Sequence, residues 1–210
     1  LLYPSRGEDS PHGRVRVRPD LGGPPVVAFC GHIHQDGTAD LLRKVARVMA
    51  ELGGHLDIYT MLPPQSLVGC GLELPTVRHM GFFPASEMGE KVGQSAHVLF
   101  LPASFEQRER DDVATLFPSK LADYTAVGLP ILIWGPKYSS AVGWADEHPG
   151  SMICVTEPDP AAFRTALVDL VSKPTEAAQM ASAAMDVGDA CFNPKTARAV
   201  LYRALRGFTP

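Results

Sequence analysis

The sequence predicts an α/β protein, a Rossmann-like doubly wound parallel sheet with helices on both faces. Apolar runs of strand length, Val26 to Cys30, Leu56 to Tyr59 and Val98 to Leu101, alternate with stretches of helical period. That alternation is the pattern of parallel strands joined by crossover helices. The connection after the first run carries a strong helix signal. A chain of 210 residues with 45% hydrophobic and 20% charged residues is also long enough, and apolar enough, for one substantial core.

Residues 1–24 are rich in Pro, Gly and Arg without a sustained period and read as a linker. A Rossmann-like domain is expected over residues 25–190, and residues 191–210 as a carboxyl-terminal helical segment. The first strand, Val26 to Cys30, is followed by a helix from Thr38 to Leu52. Thr38 can cap it, Leu41, Leu42, Val45, Val48, Met49 and Leu52 form one apolar stripe, and Gly53-Gly54 ends it. Further strands are expected at Thr76 to Met80, Pro130 to Trp134 and Ser151 to Val155, and a helix at Ala161 to Ser172. Asn193-Pro194 interrupts the helical pattern near Cys191, so Lys195 to Arg206 should form a separate last helix.

Charge and cysteine usage exclude several classes. A net charge of −4 gives no electrostatic case for nucleic acid as the main partner. The alternating Arg14, Arg16 and Arg18 read as a solvated part of the linker. Cys30, Cys70, Cys154 and Cys191 are widely spaced with no C-x-x-C pair, which points to a reducing, cytoplasmic setting. No apolar run reaches the roughly 20 residues of a membrane span, so no transmembrane segment is expected, while peripheral membrane association stays open. The chain starts without Met and is expected to be a piece of a longer one.

In an open α/β sheet, ligands bind beyond the carboxyl ends of the strands. That rule selects the loops Gly31 to Gly37, Thr60 to Pro64, Gly81 to Ala85, Pro102 to Lys120 and Gly135 to Ser140. Gly31 to Gly37 has glycines at both ends and a helix start just beyond, a shape that admits phosphate, although it is no G-x-G-x-x-G and has no P-loop lysine. Cys30, His32 and His34 lack a fourth metal ligand nearby, so no metal is expected and His32 is read as a hydrogen-bonding group. Phe82 and Phe83 offer a stacking wall for a base, with core packing the alternative. The mixed charges of Phe105 to Asp112 read as a solvated loop. No Ser/His/Asp order, nucleophile elbow or catalytic cysteine is present, and no residue is assigned as catalytic.

The densest segment runs from Phe117-Pro118-Ser119-Lys120-Leu121-Ala122-Asp123 through Gly128 to the apolar Ile131 to Trp134. Pro118 opens a helix start, Ser119 can cap it, and Lys120 and Asp123 share one face of its first turn. An anion can sit at such an end.

This segment, together with Leu101-Pro102-Ala103-Ser104-Phe105-Glu106, resembles the nucleotide-sugar-binding half of GT-B fold glycosyltransferases, especially the retaining family-four type. That family has an apolar strand ending in Pro-Ser, a loop, a helix with a ligand-binding acidic residue, then Ala-x-Gly-x-Pro and a buried strand. Here the last motif is Ala126-Val127-Gly128-Leu129-Pro130. The resemblance runs from Val26 to Arg206. It implies a diphosphate held by Gly31, His32, Ser119, Lys120 and Leu121, a ribose held by Asp123, a base against Phe82 and Phe83, and Ser104, Glu106 and Thr115 as candidate sugar contacts. Thr115 stands where the family has its first glutamate, eight residues before Asp123, and His32 and Asp36 stand where it often has a basic pair.

By this resemblance the chain is expected to be the carboxyl-terminal, nucleotide-sugar (donor) binding domain of a glycosyltransferase. An amino-terminal acceptor-binding domain would complete the cleft, with no cofactor beyond the nucleotide-sugar substrate and no metal. Three alternatives remain: a non-catalytic nucleotide-binding or scaffold domain of the same fold, a sugar-nucleotide epimerase, and a receiver-like domain, which would lack its acidic cluster here.

Overall fold

A computed structural model describes residues 4–6, 15–17, 23–33 and 36–206. Six strands lie in one all-parallel sheet: β1 (Val26–Cys30), β2 (His55–Tyr59), β3 (Val77–Gly81), β4 (Val98–Pro102), β5 (Ile131–Trp134) and β6 (Ile153–Val155), in the order β3-β2-β1-β4-β5-β6. This is the doubly wound arrangement expected from the sequence. Its strand order reverses between β1 and β4, and in sheets of this kind ligands bind beyond the carboxyl ends of the strands near such a reversal.

The connecting helices are α1 (Asp36–Glu51), α2 (Pro64–Gly69), α3 (Ala85–Ser95), α4 (Arg110–Thr115), α5 (Lys120–Val127), α6 (Ser140–Glu147), α7 (Pro160–Ser172), α8 (Pro174–Cys191) and α9 (Pro194–Arg206), with a 3-10 turn at Gln107–Glu109 before α4. The helix expected from Thr38 starts two residues earlier, at Asp36, so Thr38 lies inside the first turn rather than at its cap.

Period-two alternation along the strands divides the core into two layers. On one face Ala28, Cys30, Leu99, Leu101, Ile131 and Ile133 pack with residues of α3, α5, α6 and α8. On the other face Val27, Phe29, Phe100, Leu132 and Trp134 pack against α1 and α7. There Trp134 stacks on Phe163 at 5.0 Å between ring centroids, and Phe100 meets Phe163 edge-on at 5.4 Å. Each buried side chain of this size contributes roughly 1.5–3 kcal/mol. A fully buried carboxylate in the middle of β2, Asp57, accepts from Nε and Nη2 of Arg78 on β3, at 2.6 and 2.8 Å. Without that fork the charge would carry a large desolvation cost.

Of the stretch expected as a linker, residues 4–6, 15–17 and 23–24 are described, and both Arg6 and Arg16 are tied to α5. Arg6 is buried, donates to the Ala122 carbonyl and the Thr125 hydroxyl at 2.9 Å each, and pairs with Asp189 of α8. Arg16 donates from its side chain to the Val127 carbonyl at 3.1 Å and from its amide to the Gly128 carbonyl at 2.8 Å. Arg16 thus closes the carboxyl end of α5, where unpaired carbonyls favour a cation. Arg14, Arg18, His34 and Gln35 lie outside the described residues.

Candidate functional site

The site is built where β1 and α5 meet. β1 is followed by Gly31, whose φ of +140° belongs to glycine, and a Cβ there would overlap the Lys120 side chain. Lys120 therefore lies directly across the end of β1. α5 ends at Gly128, φ +81°, which turns the chain into β5 as the sequence suggested.

Tyr124 fixes the distance between helix and strand. Its hydroxyl accepts from the Cys30 amide at 2.8 Å and lies 3.3 and 3.2 Å from the Cys30 and Phe100 carbonyls, to which it donates. One buried oxygen thus joins α5 to both strands that flank the reversal point. Burial pushes the phenol far above its ordinary pKa, so it stays protonated. The Cys30 thiol beneath it is pushed up to about 12, chiefly by burial, and is inert as a nucleophile.

Above this floor is a cavity of about 410 Å³. Its lining brings together Gly31, His32, Phe82, Phe83, Ser119, Lys120 and Asp123, all singled out from the sequence. Lys120 and Asp123 share the cavity face of α5, as their i,i+3 spacing requires.

Neither charge has an ion-pair partner among the described residues. Burial lowers the Lys120 pKa, and the ammonium lies 5.5 Å from the Phe29 ring. Asp123 keeps an exposed edge, yet the protein crowding its other side raises its carboxyl above the usual range, against the attraction of Arg6. Burying the Lys120 ammonium without an ion-pair partner among the described residues costs stability, and an anionic ligand would offset that cost.

The first turn of α5 differs in detail from expectation. Ser119 is already in helical conformation and its side chain caps nothing; it stands exposed at the cavity edge. The Leu121 amide donates to the Pro118 carbonyl at 3.0 Å and its side chain is buried in the core, so Leu121 does not line the cavity. The amides of Ser119 and Lys120 have no backbone acceptor among the described residues.

The two phenylalanines differ in burial. Phe82 is 57% exposed and Met61, which also lines the cavity, is 70% exposed, while Phe83 is half-buried against Tyr59 with ring centroids 6.2 Å apart.

The candidate sugar contacts are not in this cavity. Ser104 is buried, accepts from the Glu106 amide at 3.0 Å and lines a second, neighbouring cavity; Glu106 is exposed; Thr115 is exposed and donates to the Asp111 carbonyl of its own helix at 2.7 Å. The charged stretch from Phe105 to Asp112 is exposed at most positions, as expected, but it folds into the 3-10 turn and the start of α4 rather than a loop, and it makes specific contacts. Arg108 bonds Asp36 at 2.8 Å, Glu109 accepts from the Gly37 amide at 3.3 Å, and Arg110 lies 4.0 Å from the centre of the Tyr138 ring.

Sequence reasoning missed Tyr59, Thr60 and Met61 as lining residues, although it selected the loop that holds two of them. It gave no signal for Tyr124. Among the described residues no three of His, Cys, Asp and Glu come together as a metal site, and no described helix is long and apolar enough to cross a membrane.

The sequence matches no protein-family model and no curated protein. Solved structures do match the fold. Sucrose-phosphate synthase from Thermosynechococcus elongatus superposes with a TM-score of 0.63 at 15% identity, covering 98% of this chain and 50% of that one. Anabaena Alr3699/HepE in complex with UDP-glucose gives 0.64 at 15% identity, covering 99% and 55%. The carboxyl-terminal domain of a group 1 glycosyl transferase (LpcC) from Francisella tularensis gives 0.54 at 14% identity, covering 92% and 96%. The chain thus spans about half the length of the first two and nearly all of an isolated carboxyl-terminal domain. Its fold is that of one Rossmann-like half of the GT-B glycosyltransferases.

Proposed function

We propose that this chain is the nucleotide-sugar-binding domain of a glycosyltransferase, acting with an acceptor-binding domain across a shared cleft. The observation that carries the reading is the cavity between the carboxyl ends of β1 and β2 and the first turn of α5, which gathers a lysine and a carboxylate without ion-pair partners among the described residues and an exposed aromatic ring within one space. A nucleoside diphosphate has complementary groups. Its phosphates would lie against Lys120, Gly31, His32 and the open amides of Ser119 and Lys120. Its ribose hydroxyls would donate to Asp123, and its base would lie against Phe82 and Met61.

Transfer would break the bond between the anomeric carbon and the diphosphate oxygen and form one from that carbon to the acceptor's hydroxyl oxygen, whose proton passes to the leaving diphosphate or to solvent. Negative charge then grows on the leaving diphosphate, where Lys120 and the amino end of α5 stabilise it. Holding the donor in place for an acceptor hydroxyl would supply the remaining effect by positioning. HepE complexes contain UDP-glucose, which makes uridine nucleotides the first probes to use.

Calorimetry with UDP, GDP, ADP and dTDP tests the reading: one of them should bind with a dissociation constant in the micromolar to low millimolar range. No binding of any at millimolar concentration would refute it. A second reading, a nucleotide-binding domain without transfer chemistry, is favoured by the Asp36 to Arg108 pair, which puts a neutralised carboxylate where the family often has a base. Binding of nucleoside diphosphates without hydrolysis or transfer of any nucleotide-sugar in the full-length protein would select it.

A further inference from the structure

Arg6 is a buried arginine that does not line the cavity, yet it is bonded to the helix that carries Lys120 and Asp123. Its Nε donates to the Ala122 carbonyl and its Nη2 to the Thr125 hydroxyl, each at 2.9 Å, and its Nη1 pairs with Asp189 of α8. Thr125 carries the link further, donating to the Leu121 carbonyl at 2.8 Å. The Arg6 amide donates to the Phe192 carbonyl at 2.9 Å, just past the end of α8. The two helices approach closely here, since a Cβ on Gly188 of α8 would overlap both the Arg6 guanidinium and Thr125. The guanidinium is therefore held between α5 and α8, bonded to the residue that precedes Asp123.

Packing of α5 on α8 does not by itself call for an arginine. An apolar side chain of similar volume would fill the slot, and exchanges of that kind are often neutral or stabilising. What it would not supply is charge. Of the groups near Asp123, the Tyr124 phenol and the Cys30 thiol are kept neutral by burial, and Tyr59 is raised in the same way. Lys120 runs across the end of β1, against Gly31 and 5.5 Å from the Phe29 ring, and His32 lines the same cavity. On the packed helices, Glu87, Glu90 and Lys91 of α3 and Asp186 and Asp189 of α8 are exposed, and Arg16 is bonded at the far end of α5. Arg6 is the cation whose attraction on Asp123 opposes the effect of burial.

We propose that Arg6 is a positioning residue for the ribose, seating α5 on α8 and supplying, from outside the cavity, the positive charge that favours the carboxylate form of Asp123. The inference rests on the nucleotide reading and deepens it, because it names a residue far from the cavity in sequence that tunes its grip on the ribose hydroxyls. Charge-assisted bonds from those hydroxyls need the ionised carboxyl. Burial raises the Asp123 pKa and Arg6 pulls it down, so without Arg6 the carboxylate forms only at higher pH. Discrimination for the ribose hydroxyls should then fade at a higher pH as the solution is acidified.

The probe is the ratio of UDP affinity to that of 2′,3′-dideoxyuridine diphosphate, measured by calorimetry from about pH 7.5 down to about pH 4.5. Both ligands carry the same phosphates and base, so titration of the phosphates and of His32 cancels. The parent should prefer UDP by about tenfold or more at the upper end, a preference that shrinks on acidification. In Arg6→Gln, which removes the charge, the decline should begin at higher pH, with a ratio at least about threefold below the parent's within that window. Arg6→Lys, which restores the charge, should follow the parent to within about twofold. A merely structural role would lower the melting temperature and weaken both ligands equally, leaving the ratio and its pH course unchanged, and that result overturns the inference. So does a folded Arg6→Lys whose ratio declines as expected for Arg6→Gln; this variant decides the matter alone if Arg6→Gln does not fold. A parent that binds both ligands equally removes Asp123 from the ribose, and the inference with it, but leaves the diphosphate site standing. Failure of the parent to bind UDP removes both.

Discussion

Replacing Lys120 by Met separates the charge of the site from its shape. The methionine keeps most of the side chain's length, so the packing across Gly31 should persist. A unit charge about 4 Å from a phosphate oxygen at an effective dielectric near 20 interacts by about 4 kcal/mol, an upper bound before desolvation is subtracted. A charge-assisted hydrogen bond nets roughly 1.5–3 kcal/mol. The variant should therefore bind UDP about 10- to 150-fold more weakly, while its affinity for uridine, which has no phosphate, changes less than about threefold.

Stability should move the other way. Burial lowers the Lys120 pKa in the folded protein, so between that value and the ordinary lysine value the unfolded chain binds more protons than the native one. Native stability then rises with pH through that window, and below it the full cost of the buried charge is present. Lys120→Met should remove this rise and should be at least as stable as the parent at neutral pH, measured by urea unfolding at several pH values. Equal weakening of UDP and uridine, or unchanged UDP affinity in a folded variant, would refute the phosphate role.

Asp123→Ala should weaken UDP by about 1.5–3 kcal/mol but leave a 2′,3′-dideoxyuridine diphosphate nearly unaffected, since only the former offers ribose hydroxyls; equal losses for both in a calorimetric titration would remove Asp123 from the ribose. Tyr124→Phe strands the buried Cys30 amide without its acceptor and should cost about 1–3 kcal/mol in urea unfolding, together with weaker UDP binding as α5 loosens from β1. An unchanged midpoint and unchanged affinity would show that the hydroxyl positions nothing. Gly31→Ala meets both an unfavourable φ and the Lys120 side chain, so it should lower the melting temperature and UDP affinity together; wild-type values of both would contradict the packing described here.

The architecture was legible because its signals are local. Strand-length apolar runs, the stripe from Leu41 to Leu52, and the glycines that close α1 and α5 each specify structure within a few residues. The chemical side of α5 was legible for the same reason, since Lys120 and Asp123 sit three apart on one helix and must share a face.

What escaped depends on contacts distant in sequence. Tyr124 reaches Cys30, 94 residues away, and nothing in its neighbourhood distinguishes it from an ordinary core tyrosine. Glu109 was absorbed into a charged run that looked solvated, because its partner is the backbone amide of Gly37, 72 residues earlier. Ser119 followed the statistics of helix caps, but its backbone is already helical and its side chain caps nothing. Leu121 was included through its backbone, and the Pro118 carbonyl takes its amide first.

The central claim is that the cavity between the end of β1 and the first turn of α5 binds a nucleoside diphosphate. Amide chemical shifts of the isotope-labelled protein titrated with UDP test it most directly, because they report place as well as affinity. The account predicts saturable shifts concentrated at Gly31, His32, Met61, Phe82, Lys120 and Asp123, abolished or greatly weakened in Lys120→Met. Shifts clustered on another surface, or none at millimolar UDP and at millimolar GDP, ADP and dTDP, would contradict it.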